Sequence, residues 1–240
     1  MKLRWLFALT ALFWMSCGSS EGDGEVKITP TQDPILESDT LFQDVEEKDQ
    51  RVELPAPDYD TTAWAEILEV TDGIHIDLRY ATENNFTGKV LYDCPRCFLR
   101  PEVAEALRLA QMDLKEKGLG LKVFDCYRPQ FVQEKMWEII PDPNYVANPK
   151  SGSMHSRGLA VDVTLTDSLG NELDMGTDFD YFGVEAHSDY LELPTPVLDN
   201  RQLLRETMEN YGLIGIRTEW WHFSMRGLSY PLDSMRWDCN

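Results

Sequence analysis

The chain has 240 residues, 42% of them apolar, and a formal net charge of −20. That length suits one well-cored domain plus a tail. So acidic a composition argues against a phosphate-backbone partner, because nucleic-acid binding depends on clustered Lys and Arg.

Lys2 and Arg4 precede an apolar run from Trp5 to Met15 that is too short to cross a bilayer as a stable helix. Residues 1–16 are therefore expected to form a cleavable signal peptide. The run ends in Trp14-Met15-Ser16-Cys17-Gly18, which resembles a bacterial lipoprotein signal, where a small residue precedes the cysteine that receives lipid. Trp14 departs from the usual aliphatic residue, and an ordinary secretory signal cut nearby is the alternative. Either route implies an extracytoplasmic protein, in the periplasm or at the outer membrane or cell surface, with Cys17 as the expected lipid anchor.

From Glu21 to Asp60, thirteen acidic residues oppose three basic ones, a net of −10 that is half the formal charge. With Pro30, Pro34, Pro55 and Pro57 and no sustained periodicity, this stretch buries too little apolar surface to offset its ordering entropy. Residues 17–60 are expected to be a lipid-anchored, acidic, flexible linker, and residues 61–240 the catalytic domain. Setting Cys17 aside leaves Cys94, Cys97, Cys126 and Cys239, an even number in an oxidising compartment. Structural disulfides are expected, with three pairings open.

Residues 73–80 alternate apolar and polar side chains and predict a half-buried strand. Pro101 opens a helix with Val103, Ala106, Leu107, Ala110 and Leu114 on one face, and Gly118 stops it. Leu121 to Tyr127 reads as a strand, and Pro129 begins a helical pattern that ends before Pro141, so Arg128 falls at a strand-to-helix junction. Leu159, Val161, Val163 and Leu165 alternate with Ala160, Asp162 and Thr164 in a third strand. A helix is expected from about Asn200 to Tyr211, and a last strand containing Trp220, Trp221, His222 and Phe223. Without a regular βαβ repeat, the expected class is α+β, one compact domain with a mainly antiparallel sheet flanked by helices.

Two of the four histidines lie beside carboxylates, in the His155 to Asp162 segment and in Glu219-Trp220-Trp221-His222. Catalytic zinc keeps three protein ligands, imidazole nitrogen or carboxylate oxygen, and a fourth position open for water. His155, Asp162 and His222 meet that requirement, and Glu219 is then better used as a general base than as a fourth ligand. Residues three apart on a regular strand face opposite sides, so a bulge or turn must bring Glu219 and His222 together. Spacing alone does not single out this site.

Those two segments resemble the signatures of the D-alanyl-D-alanine dipeptidase family, the VanX-like zinc peptidases related to D,D-carboxypeptidases and the hedgehog fold. Asp77-Leu78-Arg79-Tyr80-Ala81-Thr82-Glu83-Asn84-Asn85-Phe86-Thr87-Gly88 and Asp125-Cys126-Tyr127-Arg128-Pro129 resemble two further family segments in the same order. The resemblance implies one Zn²⁺ per chain on His155, Asp162 and His222, with Glu219 moving the proton from water to the leaving amine. It also implies that Arg128 donates to the developing oxyanion, a role suited to a fixed planar cation. Ser153 and Tyr92 would bind the carboxylate of a D,D-dipeptide substrate and Asp180 its ammonium, with Asp178 as competitor. His75 and His187 read as structural, Trp220 and Trp221 as packing around Glu219, and Tyr80 and Phe86 as core. Two alternatives remain: a D,D-carboxypeptidase trimming wall stem peptides, and a catalytically silent wall-binding lipoprotein.

Overall fold

The structure is a computed structural model that describes residues 57–143 and 145–239. The expected signal peptide, Cys17 and the linker up to residue 56 lie outside the described residues. In chain order the regular elements are β1 (Ala65–Glu66), α1 (Ile67–Val70), β2 (His75–Ile76), β3 (Phe98–Leu99), α2 (Pro101–Glu116), β4 (Leu119–Asp125), α3 (Gln130–Ile139), β5 (Ala160–Asp167), α4 (Thr195–Asn210), β6 (Leu213–Gly215) and β7 (His222–Met225). β1 and β3 form a small antiparallel pair. The main sheet has the order β2-β4-β5-β7-β6. Only its β2–β4 pairing is parallel, so the mixed, mainly antiparallel α+β architecture agrees with the expectation.

Helix α2 follows its sequence closely. Pro101 occupies the first turn, where a missing N–H leaves no bond unmade. Val103, Leu107, Ala110 and Leu114 are fully buried, and each large apolar side chain so removed from water contributes roughly 1.5–3 kcal/mol. Gly118 follows the helix at φ 73°, the left-handed conformation that lets the chain turn into β4. Helix α4 begins earlier than the expected start near Asn200, because Pro194 and Pro196 flank its first residue and a proline in the first turn does not break a helix.

Strand β5 is covered on both faces. Val161, Val163 and Leu165 enter the main core, and Asp162, Thr164 and Thr166 are buried too. Its alternation therefore separates two packed sides, not core from solvent.

Three expectations need correction. The strand predicted over 73–80 is paired only at His75–Ile76, and Arg79–Ala81 form a 3₁₀ turn instead. There the Tyr80 carbonyl accepts from the Leu91 and Tyr92 amides, so local bonds replace a strand ladder. The last strand starts at His222, leaving Trp220 and Trp221 in the bend before it. Of the four domain cysteines, only Cys94 and Cys239 are bridged, whereas Cys97 and Cys126 remain buried thiols.

Candidate active site

Strand register sets the geometry of the site. Asp162 on β5 pairs directly with His222 on β7, and on its other side with Asp125 on β4, where a register shift interrupts the ladder after Val123. Residues opposite each other across antiparallel strands bring their side chains together. His155 comes from the turn preceding β5. It is tied to the β4 end by its carbonyl, which accepts from the Arg128 amide, and by its ring, whose Nδ1 lies 2.8 Å from the Cys126 carbonyl. A carbonyl can only accept, so Nδ1 carries the proton and Nε2 is left bare as a ligand.

His155 Nε2, His222 Nδ1 and Asp162 Oδ1 form a triangle with sides of 3.0, 3.0 and 3.3 Å. Ligands about 2.0–2.1 Å from a tetrahedral zinc are roughly 3.3 Å apart, so the donor set and its spacing both fit that metal. Among the described residues this is the one group of three such side chains with converging donor atoms. Burial pushes the Asp162 carboxyl up, but the His155 and His222 imidazoles together outweigh it and hold the group well below the usual carboxylate range.

Glu219 lies in the bend before β7, with Oε2 3.9 Å from His222 Nδ1. That bend resolves the facing problem posed by the three-residue spacing. The Trp220 amide donates to the Ala186 carbonyl and its indole N–H to Thr177 Oγ1. Trp221 packs edge-on against Trp220 and Phe179. The two tryptophans thus hold the Glu219 backbone. Burial, reinforced by the Asp162 and Asp180 charges and opposed by His222, pushes Glu219 up to about 7, where a carboxyl can exchange protons near neutrality.

A cavity of about 320 Å³ joins these groups to Arg128, Ser153 and Asp180. The Arg128 Nε and Nη2 donate to Asp125 Oδ2 at 2.9 and 2.6 Å, and its Nη1 donates to Gln133 at 3.0 Å. Its guanidinium carbon lies 5.0 Å from the centre of the Tyr80 ring. Ser153 Oγ accepts from the His155 amide. Asp180 sits at φ 61°, the one non-glycine in the left-handed region among the described residues, a strain on the order of 1 kcal/mol. It accepts from the Tyr80 hydroxyl at 3.0 and 3.1 Å. Burial first, and then the Asp162 charge, push its carboxyl up to about 7. Asp178 lines a different cavity, so Asp180 is the acid that faces the metal ligands.

Tyr92 departs from its expected place. It does not line the cavity; its hydroxyl donates to Asp125 Oδ1 at 2.6 Å, and its ring packs against Trp237. Physically, Asp125 is a buried carboxylate with two oxygens to satisfy, and Tyr92 takes one while Arg128 takes the other. Tyr80, read as core, is indeed buried, yet it contributes its hydroxyl to the site. Tyr80 belongs to a stretch that reads only as core, whereas Tyr92 carries a substrate role through the resemblance alone. Asp125, the last residue of β4, orients Arg128 three residues on, a role that nothing in its sequence setting singles out. His75 lies outside the cavity, and His187 lines a neighbouring one with Arg217 donating to its Nδ1.

Two imidazoles and a carboxylate converging on one point, with a second carboxylate beside them and a buried guanidinium in the same cavity, define a mononuclear metallohydrolase centre. The family model described as D-ala-D-ala dipeptidase matches residues 60–237, and the chain belongs to that peptidase family. The D-alanyl-D-alanine dipeptidase of Escherichia coli K12 is 39% identical over 181 residues, covering 75% of this chain and 94% of the relative. That of Enterococcus faecalis V583 is 33% identical over 187 residues, covering 68% and 91%. Among solved structures, the LdcB LD-carboxypeptidase is 19% identical over 70% of each chain, with a TM-score of 0.41.

Proposed function

We propose that the chain is a zinc dipeptidase that hydrolyses D-alanyl-D-alanine or a similar D,D-dipeptide. The observation that carries this is the presence, in one cavity, of the His155, Asp162 and His222 triangle, the raised Glu219 carboxyl and Asp180. Zinc held by that triangle supplies Lewis-acid polarisation and makes water a stronger acid near neutral pH. Glu219 accepts the proton from the attacking water and returns it to the departing amine nitrogen. Arg128, kept rigid by Asp125 and Gln133, donates to the carbonyl oxygen as it gains negative charge. Ser153 donates to the substrate carboxylate, and Asp180 with the Tyr80 hydroxyl receives the ammonium group. A substrate extended at its amino end would leave Asp180 buried without its counter-charge, which restricts the site to dipeptides.

The test is a direct comparison of substrates. Zinc-loaded protein is expected to release free alanine from D-alanyl-D-alanine and to turn over its N-acetylated form poorly. Preference for the acetylated form would instead indicate a D,D-carboxypeptidase, and binding of wall fragments without turnover a silent wall protein.

We further propose that the protein acts outside the cytoplasm, anchored to a membrane through lipid on Cys17. Lys2, Arg4 and the apolar run to Met15 support export, as does the Cys94–Cys239 bridge, since such bonds persist in oxidising compartments. There the reaction would serve the turnover of wall peptides. Mass spectrometry of the membrane fraction that found Cys17 unmodified would remove the anchor.

A further inference from the structure

The C-terminal residues 226–239 contain no helix or strand, yet they run along the loop that carries Ser153 and His155. The Asp233 amide donates to the Ser156 carbonyl at 2.9 Å. Arg157 Nη1 donates to the Tyr230 carbonyl at 2.6 Å. Leu232 packs so closely on Gly152 that a Cβ there would come within 2.1 Å of Leu232 Cδ2. Arg100 couples the two segments, donating to the Arg157 carbonyl at 3.0 Å and to Asp233 Oδ2 at 2.8 Å.

A segment without its own hydrogen-bonded structure opens locally at small free-energy cost unless something ties it down. Here the ties lie beyond the loop contacts. Trp237 packs on Phe98 and Tyr92, the Tyr127 hydroxyl donates to the Met235 carbonyl, and Cys239 is bonded to Cys94 across a sequence separation of 145. A covalent link at the far end removes the freedom by which such a segment peels away.

We propose that this disulfide-anchored segment is a positioning element for the metal site, holding residues 152–158 so that His155 Nε2 meets Asp162 and His222. It acts through contacts to Gly152, Ser156 and Arg157 and touches no reacting atom. The proposal rests on His155 being a zinc ligand.

The experiment compares wild type with Cys94→Ser/Cys239→Ser in two measurements: hydrogen exchange of the 154–159 amides in metal-free protein, and zinc affinity by competition with a chromophoric chelator. In the variant the Arg157, Gly158 and Leu159 amides are expected to exchange faster, and zinc affinity to fall about tenfold or more, the scale seen when groups orienting a ligand are lost. A lower melting temperature with unchanged zinc affinity would overturn the proposal, and so would weaker zinc binding without faster exchange in this loop. Leu232→Ala, with the disulfide intact, serves if the double variant does not fold, and is expected to move both readouts in the same direction. Wild type that took up no zinc would overturn the zinc assignment itself, whereas zinc-binding wild type with an unaffected variant would overturn this proposal alone.

Discussion

At the metal end of the cavity, Asp162 and His222 sit opposite each other on paired strands, fixed by the sheet's hydrogen-bonded register. At the substrate end, Asp180 sits on a segment between Leu173 and Pro194 that has only a short 3₁₀ turn, at Val184–Ala186. That segment is clamped by the buried Arg201 of α4, which donates to the Met175, Glu185 and His187 carbonyls. Two of the three metal ligands, Asp162 and His222, are thus built on rigid paired strands, whereas His155, on the short turn before β5, and Asp180 sit on irregular chain held by contacts from elsewhere in the fold. The two ends should therefore fail in different ways when altered.

The largest effect is expected from Glu219→Ala, which should lower kcat by about 10³-fold, within the range for loss of a positioned acid–base group, while zinc is retained. Steady-state kinetics alongside metal analysis checks this, and a variant as fast as wild type would refute the role given to Glu219. Arg128→Lys should lower kcat by about 10²-fold with a smaller change in KM, because a lysine cannot span Asp125 and Gln133 while facing the cavity. Asp180→Asn should act at the other end, raising KM for the free dipeptide on the order of tenfold while leaving turnover of the N-acetylated form nearly unchanged.

The smallest effect concerns stability in the metal-free protein. The Asp180 carboxyl rises from an ordinary 3.8 to about 7 on folding, and that of Glu219 from 4.5 to about 7. The folded state thus holds these protons more tightly, so their contribution is full below about pH 4 and is lost as pH rises through about 7. Asp162 has the opposite sign and loses its contribution only in strong acid. Denaturant midpoints should therefore fall between pH 4 and 7, less steeply in Asp180→Asn.

The metal end was also the more legible in the sequence. His155, Asp162, Glu219 and His222 stood out as residue types suited to zinc chemistry, and their order matched known signatures. The register that joins Asp162 to His222 and the bend that frees Glu219 were not legible, because pairing partners lie 60 residues apart. At the substrate end the sequence left Asp178 and Asp180 as rivals, since two acids separated by one residue differ only in which way the chain turns. The burial of its ring conceals the Tyr80 hydroxyl, and the resemblance gives Tyr92 a substrate role although its hydroxyl is taken up by Asp125. The C-terminal segment had no periodicity to read, because its structure comes from contacts with other parts of the chain.

Zinc X-ray absorption on the purified protein tests the central claim most directly. One zinc per chain, with a shell of nitrogen and oxygen donors at about 2.0–2.1 Å and no sulfur, is the predicted result. Scattering from sulfur at about 2.3 Å would place the metal on the buried Cys97 and Cys126 thiols and contradict the account, as would protein that takes up no zinc.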